Sequence, residues 1–159
     1  MEAIVAVYAD WGIGLKGTQP VVLKADRAQF RELTAGAAVL VGRRTLEDFP
    51  GGKPLKGRTN LVVTRQALEI EGARVVHGTE EALAAAAEYP RCVVIGGASV
   101  YEEFFPWLDV VHVTKIDLTP ESDRFFPNLD EREDWSCEEG EPREENGLRY
   151  RFCTYRRRK

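Results

Sequence analysis

The sequence predicts an α/β domain on a largely parallel sheet, and three observations carry that reading. Short continuous runs of apolar residues, such as Ala38-Val39-Leu40-Val41 and Cys92-Val93-Val94-Ile95, recur along the chain. Strands written this way are covered on both faces. Helical patterns alternate with them, as in successive βαβ units. The C-terminal part departs from this: Asp134–Glu139 and Leu148–Arg156 flank a Gly-, Pro- and Glu-rich turn, which predicts an antiparallel hairpin closing one edge.

The first strand is Ala3–Tyr8. The segment after it, Asp10–Pro20 (DWGIGLKGTQP), is rich in turn-forming residues. It is not GxGxxG and no helix opens at its glycines, so a Rossmann fingerprint fails here. Two readings stand, an ordinary connection and a mobile lid over a ligand. A helix is predicted over Lys24–Thr34. On it Asp26, Phe30 and Leu33 fall at i, i+4 and i+7, on one side. Asp26 is either a first-turn acid facing the helix macrodipole or a carboxylate with a partner or a task, since burying it on an apolar face is costly.

The pattern continues with a strand at Ala37–Gly42, a short helical turn at Arg44–Asp48, and strands at Thr59–Thr64 and Ala73–Val76. An Ala-rich helix follows over Glu80–Tyr89. Then come a strand at Cys92–Ile95, a helix at Ser99–Phe104 and a strand at Val110–Ile116.

With 159 residues, 43% apolar and 30% charged, the chain predicts one domain over 1–159, with a core that needs no staples. A net charge of −4 gives no general attraction to nucleic acid or anionic lipid, and Arg156–Lys159 reads as a solvated tail. Three cysteines (Cys92, Cys137, Cys153) lie far apart and only His77 and His112 accompany them. Neither a metal site nor a disulfide framework is expected, and Cys92 is expected to be buried in its strand. The N-terminus has no basic region followed by a long apolar run, so no signal peptide or membrane span is read and a cytoplasmic location is expected.

Strand ends carry the candidate chemistry. Gly42 ends one strand, and Arg43, Arg44 and Thr45 open a helix, so backbone N–H groups and two guanidiniums make an anion site, unless the arginines are simply solvated. Thr64-Arg65 ends the next. Arg44 and Arg65 together could reach a 2′-phosphate, which favours NADPH over NADH. Gly96-Gly97 lies between a buried strand and a helix carrying Tyr101. Glycines there admit a close approach by a pyrophosphate or nicotinamide, or serve a plain strand-to-helix turn.

In this order and spacing, IVAVYADWGIG, ADRAQF, VGRRTLEDF, GRTNLVVTR, VIGGASVYEEF, VTKID and FFP resemble the bacterial dihydrofolate reductase family, from residue 2 to about 156. The resemblance implies a three-layer fold with a mixed, mostly parallel eight-stranded sheet and helices on both faces. It also implies NADPH-dependent reduction of 7,8-dihydrofolate. Asp26 would bond the pterin 2-amino group and N3, supported by Thr114 through a water. Phe30 and Phe49 would pack on the aminobenzoyl ring, Ile4, Val5, Leu55 and Ile95 would complete the substrate wall, and Arg58 would grip the glutamate α-carboxylate.

For the cofactor, the resemblance implies Ala6, Ile13 and Gly14 near the nicotinamide. Gly42, Arg43, Arg44, Thr45, Thr64 and Arg65 would hold the phosphates, and Gly96, Gly97, Ser99, Val100 and Tyr101 the pyrophosphate and nicotinamide side. A cis Gly96–Gly97 bond is implied. So are a monomer, antifolates as inhibitors, and no nucleic-acid or membrane partner. Hydride would pass from the nicotinamide to pterin C6, with Asp26 assisting protonation of N5 through a water.

Four positions depart from the family pattern: Gln19 for a loop-tip Met or Leu, Val21 for a Trp after Pro20, Lys24 for a Pro, and Arg27 for an apolar residue. Arg27 is expected to reach solvent. Weakened binding of diaminopyrimidine antifolates is expected from the changed pocket. Two rival readings are an NADPH-dependent pyrimidinone reductase of riboflavin synthesis and a non-catalytic nucleotide-binding module. Neither needs Asp26, Phe30, Phe49 and Arg58 together.

Overall fold

The computed structural model describes residues 1–17 and 19–159. In chain order it runs β1 (Glu2–Tyr8), β2 (Gly12–Gly14), α1 (Lys24–Thr34), β3 (Ala38–Gly42), α2 (Arg43–Glu47), β4 (Thr59–Val63) and β5 (Ala73–Val76). It continues with α3 (Thr79–Ala86), β6 (Cys92–Gly96), α4 (Ala98–Phe104), β7 (Val110–Ile116), β8 (Arg124–Phe125), β9 (Trp135–Glu139), β10 (Arg143–Glu145) and β11 (Leu148–Arg157). Thr18, inside the loop over residues 10–20, lies outside the described residues.

Among the described residues the main sheet has the order β10-β11-β7-β1-β6-β3-β4-β5, and β9 also pairs with β11. β9 and β10 take different stretches of the same edge of the long β11, so the sheet is eight positions wide. Pairing from β7 through β1, β6, β3, β4 and β5 is parallel; β9, β10 and β11 supply the antiparallel edge. The hairpin from β10 to β11 turns at Asn146-Gly147. Both have positive φ (51° and 80°), as a tight two-residue turn requires.

Strand alternation sets the three layers. Ala3, Val5 and Val7 of β1 join one core with Ala82, Ala85 and Ala86 of α3 and Val100, Tyr101 and Phe104 of α4. Ile4, Val39, Val41, Val93 and Ile95 face the other way, against Leu46 of α2 and Phe30 and Leu33 of α1. Leu23 and Ala25, at the start of α1, pack on Tyr8, Ile116 and Tyr150.

The expected elements are found with small shifts at their ends. α3 stops at Ala86, short of the expected Tyr89, because Pro90 disfavours helical backbone before it. The last amides bond three residues back instead, Tyr89 N to Ala86 O at 3.2 Å. The loop after β1 is more ordered than its composition suggests. Trp11 is buried against Phe126 and edge-on to Tyr155, and β2 pairs with β8.

One opening in the sheet positions everything that follows. β1 stays paired with β7 through Tyr8↔Ile116, but pairs with β6 only at Glu2↔Val93 and Ala3↔Val94. Beyond Ala3 the two parallel strands part at their C-terminal ends, where open α/β sheets place their ligands.

Candidate active site

α1 and the β1–β6 opening meet at Asp26. The Asp26 carboxylate is half-buried, and its Oδ1 accepts the Thr114 hydroxyl at 2.6 Å. Thr114 is buried on β7 between Val113 and Lys115, and alternation turns it to the α1 face of the sheet. Burial pushes the Asp26 carboxyl above its ordinary range, because desolvation disfavours the anion, and the Thr114 bond partly offsets this. Thr114 therefore touches Asp26 directly, and the water expected between them gives way to a hydroxyl within bonding distance.

Five of the six residues named for the apolar wall share one hydrophobic cluster. Ile4 and Ile95 are buried, and Phe30, Phe49 and Leu55 are partly buried, in one cluster on the α1 side of the sheet. Val5 is the exception. It points to the opposite core with Ala3 and Val7, so only its backbone can serve this pocket. Arg58 is held at the C-terminal end of α1. Its Nε donates to Thr34 Oγ1 (3.0 Å), Nη2 to the Arg31 carbonyl (3.0 Å) and Nη1 to the Lys56 carbonyl (2.6 Å). A guanidinium has five N–H groups, so one on each Nη is left to grip a carboxylate in a fork. Arg27 is exposed.

A second site borders the first across the opening. The Ile4 carbonyl accepts the Tyr101 hydroxyl at 2.6 Å, and the Ala6 carbonyl accepts Gln19 Nε2 at 3.4 Å, in place of a strand partner. Burial, with the Asp26 charge nearby, raises the Tyr101 phenol well above its usual range. Tyr101 thus links the two sites.

The Gly96–Gly97 bond is cis. At Gly97 an added Cβ would lie 3.0 Å from Thr45 Oγ1, and at Gly42 3.0 Å from Val100 Cγ2. The ends of β3 and β6 therefore approach each other so closely that side chains there would fill the space. Neither α2 nor α4 has a side-chain cap, so the first N–H groups of both are offered to an anion. Arg44, Arg65 and Ser99 are exposed around this cradle, with Thr45 and Thr64 half-buried. Arg43 is instead tied to Glu47 at 2.7 Å. These features fit a phosphorylated dinucleotide.

Ile13 and Gly14 are held near the opening by a segment the sequence did not single out. The Asp123 amide donates to the Gly14 carbonyl (2.9 Å), and Asp123 Oδ2 accepts from the Lys16 amide (3.1 Å). Glu145, whose carboxylate accepts the Lys24 and Ala25 amides, is a second such residue. Neither acid lies in a motif, and each acts on a partner distant in sequence.

Among the described residues, no group of three or more His, Cys, Asp and Glu could hold a metal ion. Nor is any helix long and apolar enough to cross a membrane. Cys92 and Cys153 are buried, and burial pushes both thiols up to about 11.

A family model described as dihydrofolate reductase matches residues 1–157. The chain is 36% identical to the dihydrofolate reductase of Bacillus subtilis over 159 residues, covering 98% of this chain and 93% of that protein. It is 41% identical to that of Mycobacterium tuberculosis over 151 residues, covering 91% and 90%. Among solved structures it is similar to Enterococcus faecalis dihydrofolate reductase complexed with NADP(H) and RAB-propyl. The TM-score is 0.84 and the identity 34%, over 99% of this chain and 96% of that one.

Proposed function

We infer the chemistry from the family: this chain belongs to the dihydrofolate reductases and is an NADPH-dependent enzyme of that family. We propose that one domain over residues 1–159, acting as a monomer, reduces 7,8-dihydrofolate to 5,6,7,8-tetrahydrofolate. When bound, NADPH supplies the hydride that pterin C6 receives.

The other requirements fall on the chain. Asp26, held by Thr114, accepts the pterin 2-amino and N3 hydrogens and fixes the ring against Ile4 and Ile95. Phe30, Phe49 and Leu55 cover the aminobenzoyl group, and Arg58 takes the terminal carboxylate. Arg44, Thr45, Thr64 and Arg65 hold the 2′-phosphate and its neighbours. The α4 N-terminus, with Gly96, Gly97, Ser99, Val100 and Tyr101, holds the pyrophosphate. Ala6, Ile13 and Gly14 border the nicotinamide. Asp26 is the one carboxylate among these residues, so the proton bound for N5 comes through water under its influence. Its raised proton affinity keeps that proton available nearer neutral pH.

The observation that carries the reading is a half-buried carboxylate, bonded by Thr114 under an apolar wall, beside the strand opening. Absorbance at 340 nm, followed with NADPH with and without dihydrofolate, tests it. Dihydrofolate-dependent oxidation is expected, with Asp26→Asn losing most turnover at neutral pH and recovering at low pH, where substrate arrives protonated. An unchanged pH–rate profile removes Asp26 from the mechanism. Antifolates should compete with dihydrofolate, the diaminopyrimidines weakly because Val21 and Arg27 alter their pocket. A nanomolar inhibition constant for trimethoprim would contradict that last point.

A further inference from the structure

The helix that carries Asp26 is capped from elsewhere in the chain. Leu23, the residue before α1, has no side-chain oxygen, and α1 has no cap of its own. Its first two amides are nevertheless satisfied. The Lys24 N–H donates to Glu145 Oε2 at 2.8 Å and the Ala25 N–H to Glu145 Oε1 at 3.0 Å. One carboxylate thus takes two adjacent orphan donors at the positive end of the helix. Asp26 is the next residue.

Glu145 is itself well anchored. It pairs with Leu148 across the Asn146-Gly147 turn. Leu148 and Tyr150 of β11 pack in the same cluster as Leu23 and Ala25. Hairpin and helix start are joined both by an apolar contact and by the carboxylate. Lys24 matters to this arrangement, because a proline there would bring no N–H to satisfy.

We propose that Glu145 is a positioning residue of the active site, pinning the first turn of α1 and with it the Asp26 carboxylate. The proposal rests on the reading of Asp26 as the pterin-binding group. Without Glu145 the first turn frays, and Asp26 samples orientations that do not meet the pterin edge. The cofactor cradle, on α2 and α4, does not depend on it.

The test is a cycle in the full-length enzyme of Glu145→Ala, Lys24→Pro and the double variant, with Glu145→Gln and Asp26→Asn alongside. Leu23 is already extended (φ −101°, ψ 133°), the backbone that a following proline requires. In Glu145→Ala, kcat/KM for dihydrofolate should fall roughly fivefold, the size of a lost helix cap, while the Kd for NADPH stays unchanged. Glu145→Gln should recover part of the loss through its amide oxygen. In the Lys24→Pro background the loss from Glu145→Ala should shrink to less than half. An equal loss in both backgrounds, or a lower Tm with kcat/KM intact, overturns the proposal. If Asp26→Asn is crippled but Glu145→Ala is not, only this proposal fails. If Asp26→Asn keeps its activity, the reading beneath it fails.

Discussion

Thr114 on β7 donates its hydroxyl to Asp26 on α1 at 2.6 Å, joining the central sheet to the acid of the candidate site. Thr114 is 2% exposed, so the bond has no competition from bulk water on that side. Thr114→Val keeps the shape and deletes the donor. A hydrogen bond to a charged group contributes about 1.5–3 kcal/mol, so kcat/KM for dihydrofolate should fall by roughly tenfold or more. Loss of the donor also removes the influence that lowers the Asp26 pKa, so the pH–rate profile should move to higher pH. A profile that stays in place while kcat/KM falls would show that Thr114 serves only packing.

The same acid should make the fold less stable. Its pKa is raised in the folded state, so the native protein binds this proton more tightly than the unfolded chain does. Stability attributable to the group is therefore fully present below the ordinary carboxylate pKa and is lost as pH rises from there through the raised folded value. Asp26→Asn removes the charge and should unfold at a higher temperature at pH 7, by about 2–4 °C per kcal/mol for a chain of this size. The gain should vanish below the pH at which a free aspartate protonates. Thermal unfolding of both proteins at neutral and acid pH measures it; a lower Tm for Asp26→Asn at pH 7 would contradict the argument.

Long, periodic elements were legible in the sequence. β7 and α1 fall on their expected residues, because each combines a clear period with turn or proline boundaries. β2, β8 and β10 were not legible: each spans two or three residues, too few to show a period. The site divides in the same way. Asp26 stood out on an apolar helix face, and the glycine-bearing strand ends were visible as chemistry. Glu145 and Asp123 were not, since their roles arise from contacts with residues more than 100 positions away. Val5 was assigned with its neighbours, although alternation from Ile4 turns its side chain to the other core.

The cradle at Gly97 leads to a separate prediction about the cofactor. Gly97 has φ −87°, which alanine tolerates, but its added Cβ would press on Thr45 Oγ1 at 3.0 Å. Gly97→Ala should therefore fold with a small loss of Tm and bind NADPH at least tenfold more weakly, the displaced hydroxyl costing on the order of one charge-assisted hydrogen bond. Gly96 has φ +120°, where any side chain is strained, so Gly96→Ala should lose stability as well. Fluorescence titration with NADPH, paired with thermal unfolding, separates the two. Unchanged NADPH affinity in Gly97→Ala would place the cofactor phosphates elsewhere.

Far from the site, Glu2 should govern part of the acid stability. Its carboxylate accepts from His112 Nε2 (2.9 Å) and from Arg91 Nε and Nη2 (2.9 and 3.0 Å). These bonds, His112 first and then Arg91, hold its pKa down at about 2, against 4.5 for a free glutamate. A depressed carboxylate stabilises the fold fully above the unfolded value and loses that contribution as pH falls through the folded one. The shift alone corresponds to about 3 kcal/mol. The Arg91 side chain is 43% exposed, so screening by solvent reduces the expected figure to about 1–2 kcal/mol. Glu2→Gln should be less stable than the native chain by that amount at pH 5. The gap should narrow below pH 4.5 and close near pH 2. Urea unfolding of both proteins across that range measures the gap directly, and a constant difference would mean that Glu2 contributes by packing instead of by charge.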